Sequence, residues 1–332
     1  MTVLGGLAAR PATQTPVVLT VHLPQTAAAN LVMENVGLLG SDGVVVNSRA
    51  VRAELLGRGI RGGGAREGRD RRDRADEITV IPNGVDLTRF SPRKEPPHQQ
   101  QVLFVGRLVP QKAVDVLTRA FGAVLRRHPA ARLVVAGDGD QRLYLERLAR
   151  FLGVRQHVDF LGWRSPDELT HLYRSSAVTA VPSLYEPFGL VALEAMASGC
   201  PVVVGQVGGL TELVEDGVSG FVVEPGDHLG LAARLAALLS DRDLAHATGL
   251  AARRRAEHFD WATTARRTIE LFESLVARPV PATLDAEALA QVLAPASPGL
   301  RSRVSRLLGV DCAVPGAVTR LEPDSSRGRH GR

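Results

Sequence analysis

Cysteine is nearly absent from this 332-residue chain: Cys200 and Cys312 are its only two, and they stand in unrelated contexts. They make neither a disulfide framework nor a cysteine metal cluster plausible, so a reducing cytosol is the expected setting. No basic start followed by an apolar run marks a secretory leader, and no apolar stretch is long enough to span a bilayer. A cytoplasmic location is therefore expected, and it is compatible with peripheral contact at a membrane surface. Aromatic residues are scarce at 4%, which leaves Ala, Val and Leu to build the core. Lysine is scarcer still. Lys94 and Lys112 are its two occurrences, and arginine carries the rest of the positive charge. In a chain so biased toward arginine, a lysine kept inside a motif is informative.

What is present is ordinary globular material, 45% hydrophobic and 23% charged, with a length that suits about two domains. The net charge of +5 invites a nucleic-acid reading. Much of that excess is local, in the run GRGIRGGGAREGRDRRDRAD at 57–76 and in an Arg-rich C-terminal end. No aromatic residues interleave with the arginines of 57–76, as a base-stacking platform would require. A solvated flexible loop is the preferred reading, and a nucleic-acid partner is not expected.

The front of the chain reads as a strand at 17–21 ending at His22, a helix at about 26–39, and a strand at 44–48. Ser48 is placed to cap a helix at 49–56, and another strand follows at 78–81. A tight turn at 82–86 opens a loop to about Gln101 that reads as an interdomain linker. Beyond it the rhythm becomes regular. Strands are expected at 102–105, 133–136, 158–161, 178–181, 202–204 and 220–223. Helices are expected at 113–126, 142–152, 166–174, 189–197, 210–215, 228–239, 241–258 and 261–276. Such alternation gives a parallel sheet with helices on both faces, and ligands of such sheets bind outside the carboxyl ends of the strands. Three regions follow: 1–95, 96–276 as the regular α/β domain, and 277–332 as a Pro-, Ala- and Arg-rich tail, expected to be largely disordered, with a weak helix at 285–293.

The chemistry concentrates in PSLYEPFGLVALEAMASGCP at 182–201. Glu186 sits in a loop and Glu194 in the second turn of the following helix. The amides of Gly189, Leu190 and Val191 would be first-turn donors without intrahelical partners, which makes an anion site. Gly106-Arg107-Leu108 and Lys112 put two cations at the exit of the strand at 102–105, where an Arg fork and a mobile Lys charge can neutralise a diphosphate. Cations at a helix start oppose its dipole, so this placement costs stability unless a ligand uses it. Asp138-Gly139-Asp140 has a D-x-D spacing, but the strand-to-helix turn accounts for it, and no metal site is assigned. A phosphate-bearing, hydroxyl-rich ligand fits this set, a nucleotide sugar above all.

From about Ile78 to Val276 the chain resembles the retaining glycosyltransferases of family 4, of GT-B type. The matching stretches are IPNGVD at 81–86, VGRLVPQKAVD at 105–115, AGDGD at 136–140, FLGW at 160–163, the run from Pro182 to Val203, and FDW at 259–261. The resemblance implies an α/β fold of two Rossmann-like doubly wound parallel-sheet domains. With about 100 residues ahead of the second domain and no Gly-rich loop there, the N-terminal, acceptor-side domain is expected to be incomplete. It implies transfer of a sugar from a nucleotide-sugar donor to an acceptor hydroxyl with retention, no cofactor and no essential metal. Arg107 and Lys112 would bind the donor diphosphate, beside Gly106. Glu186 would hold hydroxyls of the sugar, and Glu194 the ribose. The amides of Phe188, Gly189 and Leu190 would meet sugar and phosphate oxygens, and Gly162 and Trp163 would flank the base. His22 matches the family's catalytic-site histidine. Ala113 stands where the family usually has Gly. The rival expectation is a catalytically silent nucleotide-sugar-binding fragment or a subunit completed by a partner chain.

Overall fold

The computed structural model describes residues 16–22, 41–57, 78–92, 99–277 and Ser302. Two compact units emerge. The larger comprises Asn47–Ala50 and Ile81–Arg267, and the described part of the smaller takes in 16–22, 41–46, 51–57, 78–80 and 268–277.

In the smaller unit, β1 (Val18–Val21), β2 (Gly43–Val46) and β3 (Ile78–Val80) form a parallel sheet in the order β1-β2-β3. Leu19, Val21, Val44, Val46 and Ile78 bury with Val51 and Leu55 of α1 (Arg49–Gly57). These short β-branched strands lie close to their expected places. The expected helices at 26–39 and 285–293, the loop at 57–76 beyond Gly57, and the tail beyond 277 lie outside the described residues, Ser302 apart.

The larger unit is built on six parallel strands: β4 (Gln101–Val105), β5 (Arg132–Ala136), β6 (Val158–Gly162), β7 (Val178–Val181), β8 (Val202–Gly205) and β9 (Phe221–Val223). Their order is β6-β5-β4-β7-β8-β9. The chain runs outward from β4 to β6, then returns to the other side of β4 and runs outward again to β9. The reversal lies between β4 and β7, so the crevice for a ligand is expected at the carboxyl ends of those two strands.

Side chains alternate across a strand, and two cores result. Val102 and Phe104 of β4 pack with Leu117 and Phe121 of α2 (Val114–Leu125), Leu145 of α3 (Arg142–Phe151) and Leu231 and Leu235 of α7 (His228–Ser240). Leu103 faces the other core, with Tyr173 of α4 (Pro166–Ser175), Leu193 and Met196 of α5 (Leu190–Ala197), Leu210 and Leu213 of α6 (Leu210–Leu213), and Ala252 and Ala256 of α8 (Arg242–Ala256). Central strands buried on both faces read as continuous apolar runs rather than alternation, as VVVG of β8 does. Helix α4 starts where its sequence says it should. Ser165 caps it, Glu168 closes the capping box, and Pro166 occupies the first turn. The last helix, α9, spans Trp261–Val276.

One expectation changes. The stretch after the 82–86 turn was expected to be linker, yet Val85 and Phe90 are buried in the larger unit's core. Phe90 meets Tyr173 edge-on with ring centroids 6.0 Å apart, and Arg253 donates to the Phe90 carbonyl at 2.8 Å. Two apolar side chains among the prolines and charges were enough to anchor this segment.

Candidate functional site

The β4 exit begins at Gly106, whose amide bonds the carbonyl of Ala136, and continues through exposed Arg107 to a single 3-10 turn, Pro110–Lys112. Arg107 has no hydrogen bond or ion pair among the described residues. Ala113 then turns left-handed, φ 50 and ψ 42, and passes the chain into α2. It is the one non-glycine residue at positive φ among the described residues.

The β7 exit lies across the strand reversal. Ser183 is fully buried, and the Leu184 amide donates 2.8 Å to the Gln111 carbonyl, stitching the two exits together. Lys112 meets Glu186 there, Nζ to Oε2 at 2.5 Å, with 21% and 13% of the two side chains exposed. Two sequence-predicted site residues on different loops thus form one half-buried ion pair, and Ser183 Oγ lies 3.4 Å from the same carboxylate oxygen.

Gly189 caps α5 with φ 109, and a Cβ there would come within 2.6 Å of Leu210 Cδ2. Only glycine fits this bend against α6. The amides of Phe188, Gly189, Leu190 and Val191 make no hydrogen bond among the described residues, so the helix opens with its donors unpaired. The Phe188 side chain belongs to the core, edge-on to Phe259 at 6.3 Å, which leaves its amide as the group able to serve a ligand. Leu190 is 43% exposed.

Glu194, one turn into α5, has a different partner. Its Oε2 accepts from the Tyr173 hydroxyl at 2.8 Å. Burial pushes its carboxyl above the usual range, and the tyrosine bond opposes that rise. Burial and the adjacent Glu194 push the Tyr173 hydroxyl up.

The remaining candidates are placed as follows. Gly162 ends β6 and accepts from the Gly137 amide, and Trp163 beside it is 74% exposed. Asp138 is engaged by its own turn, accepting from the Gly139 amide and pairing with Arg142 at 3.2 Å. His22 is exposed at the end of β1 in the smaller unit. A cavity of about 140 Å³, lined by Ser176, Ser198, Cys200 and Pro201 among others, opens at the opposite, amino-terminal ends of β7 and β8. Tyr173 and the end of the 182–201 run line it, whereas Arg107, Lys112, Glu186 and Glu194 do not.

Sequence reasoning missed three supports. Tyr173 was read only as part of a helix. Gly208-Gly209, after β8, press on the 186–188 loop: the Gly209 amide donates 3.0 Å to the Glu186 carbonyl, and a Cβ on Gly208 would fall on that same oxygen. The doubled glycine was the available signal. Ser48, in the segment that groups with the larger unit, donates 2.6 Å to the Pro187 carbonyl.

Residues 88–255, half of the chain, match the family model described as glycosyl transferases group 1. The chain is 43% identical over 215 residues to a D-inositol 3-phosphate glycosyltransferase of Nocardia farcinica, covering 60% of this chain and 48% of that protein. It is 40% identical over 199 residues to a glycogen synthase of Mycobacterium tuberculosis, covering 59% and 48%. The chain therefore spans about half the length of the curated relatives it matches. Among solved structures, Anabaena HepE in complex with UDP and glucose aligns with TM-score 0.70 at 26% identity over 82% of this chain and 75% of that one. A sucrose-phosphate synthase of Thermosynechococcus elongatus aligns with TM-score 0.67 at 29% identity, covering 78% and 68%.

Proposed function

Because the chain belongs to the group 1 glycosyltransferases, of GT-B type, we propose that it binds a nucleotide sugar at the β4/β7 crevice and transfers the sugar to an acceptor hydroxyl with retention. The observation that carries this reading is the Lys112–Glu186 pair at the strand reversal, beside an unpaired Arg107 and a helix start with unpaired amides. Arg107 would grip the diphosphate, and Lys112, with three donors, would reach it while still bonded to Glu186. Both would stabilise the departing nucleoside diphosphate as the bond from the anomeric carbon to phosphate oxygen breaks. Glu186 and the Phe188, Gly189 and Leu190 amides would hold the sugar, Glu194 the ribose, and Gly162 and Trp163 the base. The acceptor oxygen would attack the face the leaving group vacates, passing its proton to the departing phosphate oxygen. His22 is the proposed acceptor-side catalytic residue. HepE, at 26% identity, is recorded with UDP and glucose, which favours UDP as the first nucleotide to try.

The reading requires no cofactor and no essential metal, so turnover should persist in EDTA. Among the described residues no helix is long and apolar enough to cross a membrane, and a cytoplasmic setting with an optional peripheral membrane contact is part of the proposal. Isothermal calorimetry against UDP, GDP and ADP tests the donor site, and absence of binding to all three ends this reading. A sugar-transfer or donor-hydrolysis assay on wild type and Glu186→Ala tests the chemistry, with loss of turnover expected. A second reading, binding without transfer or transfer only with a partner chain, draws on the smaller unit, whose sheet has three strands among the described residues. Tight UDP binding with no turnover would favour it.

A further inference from the structure

Tyr173 is fully buried, and a buried phenol needs an acceptor. Its acceptor is Glu194 Oε2, 2.8 Å away. The ring is braced in turn. Phe90 lies edge-on against it, and the neighbouring Arg174 donates to the Ser91 carbonyl at 2.6 Å, so residues 90–91 brace the last turn of α4. No other hydrogen bond reaches the Glu194 carboxylate among the described residues, which leaves Oε1 unengaged. The arrangement is asymmetric: one oxygen is tied to the core and the other remains for a ligand.

We propose that Tyr173 is a positioning residue that fixes Oε2 of Glu194 and so leaves Oε1 to accept the ribose hydroxyls of a bound nucleoside diphosphate. This rests on the donor-site reading above. A flexible glutamate would have to lose rotamer freedom on binding, whereas a pre-fixed one has already lost it. The bond also bears on ionisation. Burial raises the Glu194 pKa, and the tyrosine bond, which favours the carboxylate, lowers it. From α4 the titratable group facing Glu194 is Tyr173, which in turn senses Cys200 from the turn after α5. Removing the hydroxyl therefore moves the Glu194 pKa further up. The acid limb of nucleotide binding, where the carboxylate protonates, then moves toward neutral pH.

The test uses the full chain with UDP and 2′-deoxy-UDP, titrated by calorimetry between pH 5 and 8. Wild type should prefer UDP, with affinity falling at acid pH. Tyr173→Phe should lose about tenfold in UDP affinity at neutral pH, in line with a hydrogen bond to a charged group. Its acid limb should move up in pH, its preference for UDP over 2′-deoxy-UDP should shrink, and its thermal midpoint should change little. Glu194→Gln should remove the carboxylate's share of the acid limb, leaving the share from the nucleotide's own terminal phosphate, which titrates at about pH 6, and should abolish the ribose preference. The double variant should be no weaker than Glu194→Gln alone, because the tyrosine acts only through Glu194. Wild-type affinity, pH profile and ribose preference in Tyr173→Phe would overturn the proposal, as would strictly additive losses in the double variant. If Tyr173→Phe does not fold, the Glu194→Gln arm decides: an acid limb and a ribose preference both unchanged from wild type refute it. If wild type binds no nucleotide at all, the donor reading falls and this inference with it; if wild type binds and Tyr173→Phe matches it, this inference alone falls.

Discussion

Glu186 and Glu194 lie eight residues apart on one continuous stretch, yet the fold treats them oppositely. Glu186 sits in an irregular loop and is held by a cation, Lys112, that arrives from another strand exit. Glu194 sits in a regular helix and is held by a neutral phenol from the core. The first is a carboxylate whose charge is matched without any ligand. The second has no cation of its own among the described residues, and its burial works against ionisation. A loop can bend to meet a partner, so its carboxylate acquires a charge-assisted bond; a helix cannot, so its carboxylate takes whatever the packing supplies. The contrast teaches that the two ends of the motif are set by different physics, electrostatic at the loop and steric at the helix.

The most severe way to break the loop side is through its floor. Gly208 has φ 48, and an added Cβ would strike the Glu186 carbonyl oxygen directly. Gly208→Ala should therefore cost about 2–4 kcal/mol in urea unfolding, the sum of a left-handed penalty and backbone overpacking. It should also remove turnover by displacing Glu186, while a substitution at exposed Gly226, which has open space around it, should leave turnover intact. Equal tolerance at the two glycines would mean that the 208–209 floor does not position the loop.

Next in size is the cation itself. Lys112→Met should weaken UDP binding about tenfold or more, since it removes a charge-assisted contact to phosphate and leaves Glu186 without its partner. Uridine, which lacks phosphate, should bind both proteins alike in calorimetry. A matching loss for uridine would show that Lys112 supports the fold of the crevice rather than the diphosphate. Adding Glu186→Gln to Lys112→Met should recover stability lost by the single change, because the uncompensated carboxylate is then gone.

These contrasts explain what the sequence could reveal. The alternation of apolar runs with helical segments was legible, and so was the Gly106 exit of the strand at 102–105, because each depends on neighbours within a few residues. The pairing of Lys112 with Glu186 was legible only as a shared rim, since the strand order that joins β4 to β7 is a non-local fact. Tyr173 was illegible as a site residue. Nothing in LYRSS distinguishes a core tyrosine from one whose hydroxyl crosses to α5, and the 21-residue gap to Glu194 hides the bond. Phe90 failed for the same reason: local composition said linker, whereas burial against Tyr173 is tertiary. Long-range packing overrides local signals at the positions that hold functional groups still.

The smallest effect is expected at Ala113, and it sharpens the comparison from the cation's side. Ala113 follows Lys112 directly and is buried in the left-handed region, φ 50, where a Cβ is unfavourable by about 1–2 kcal/mol. Family members usually carry Gly at this place, and the strain gives the reason. Ala113→Gly should relieve the penalty but return part of it as extra freedom of the unfolded chain, about 0.4–1 kcal/mol. The net gain should then be no more than about 1 kcal/mol in urea unfolding, with UDP affinity changed by less than about threefold because Lys112 and its turn are already formed. A loss of stability on Ala113→Gly would mean that the buried methyl contributes more packing than its backbone costs, and the left-handed turn beside Lys112 would have to be held by α2 rather than by the exit of β4.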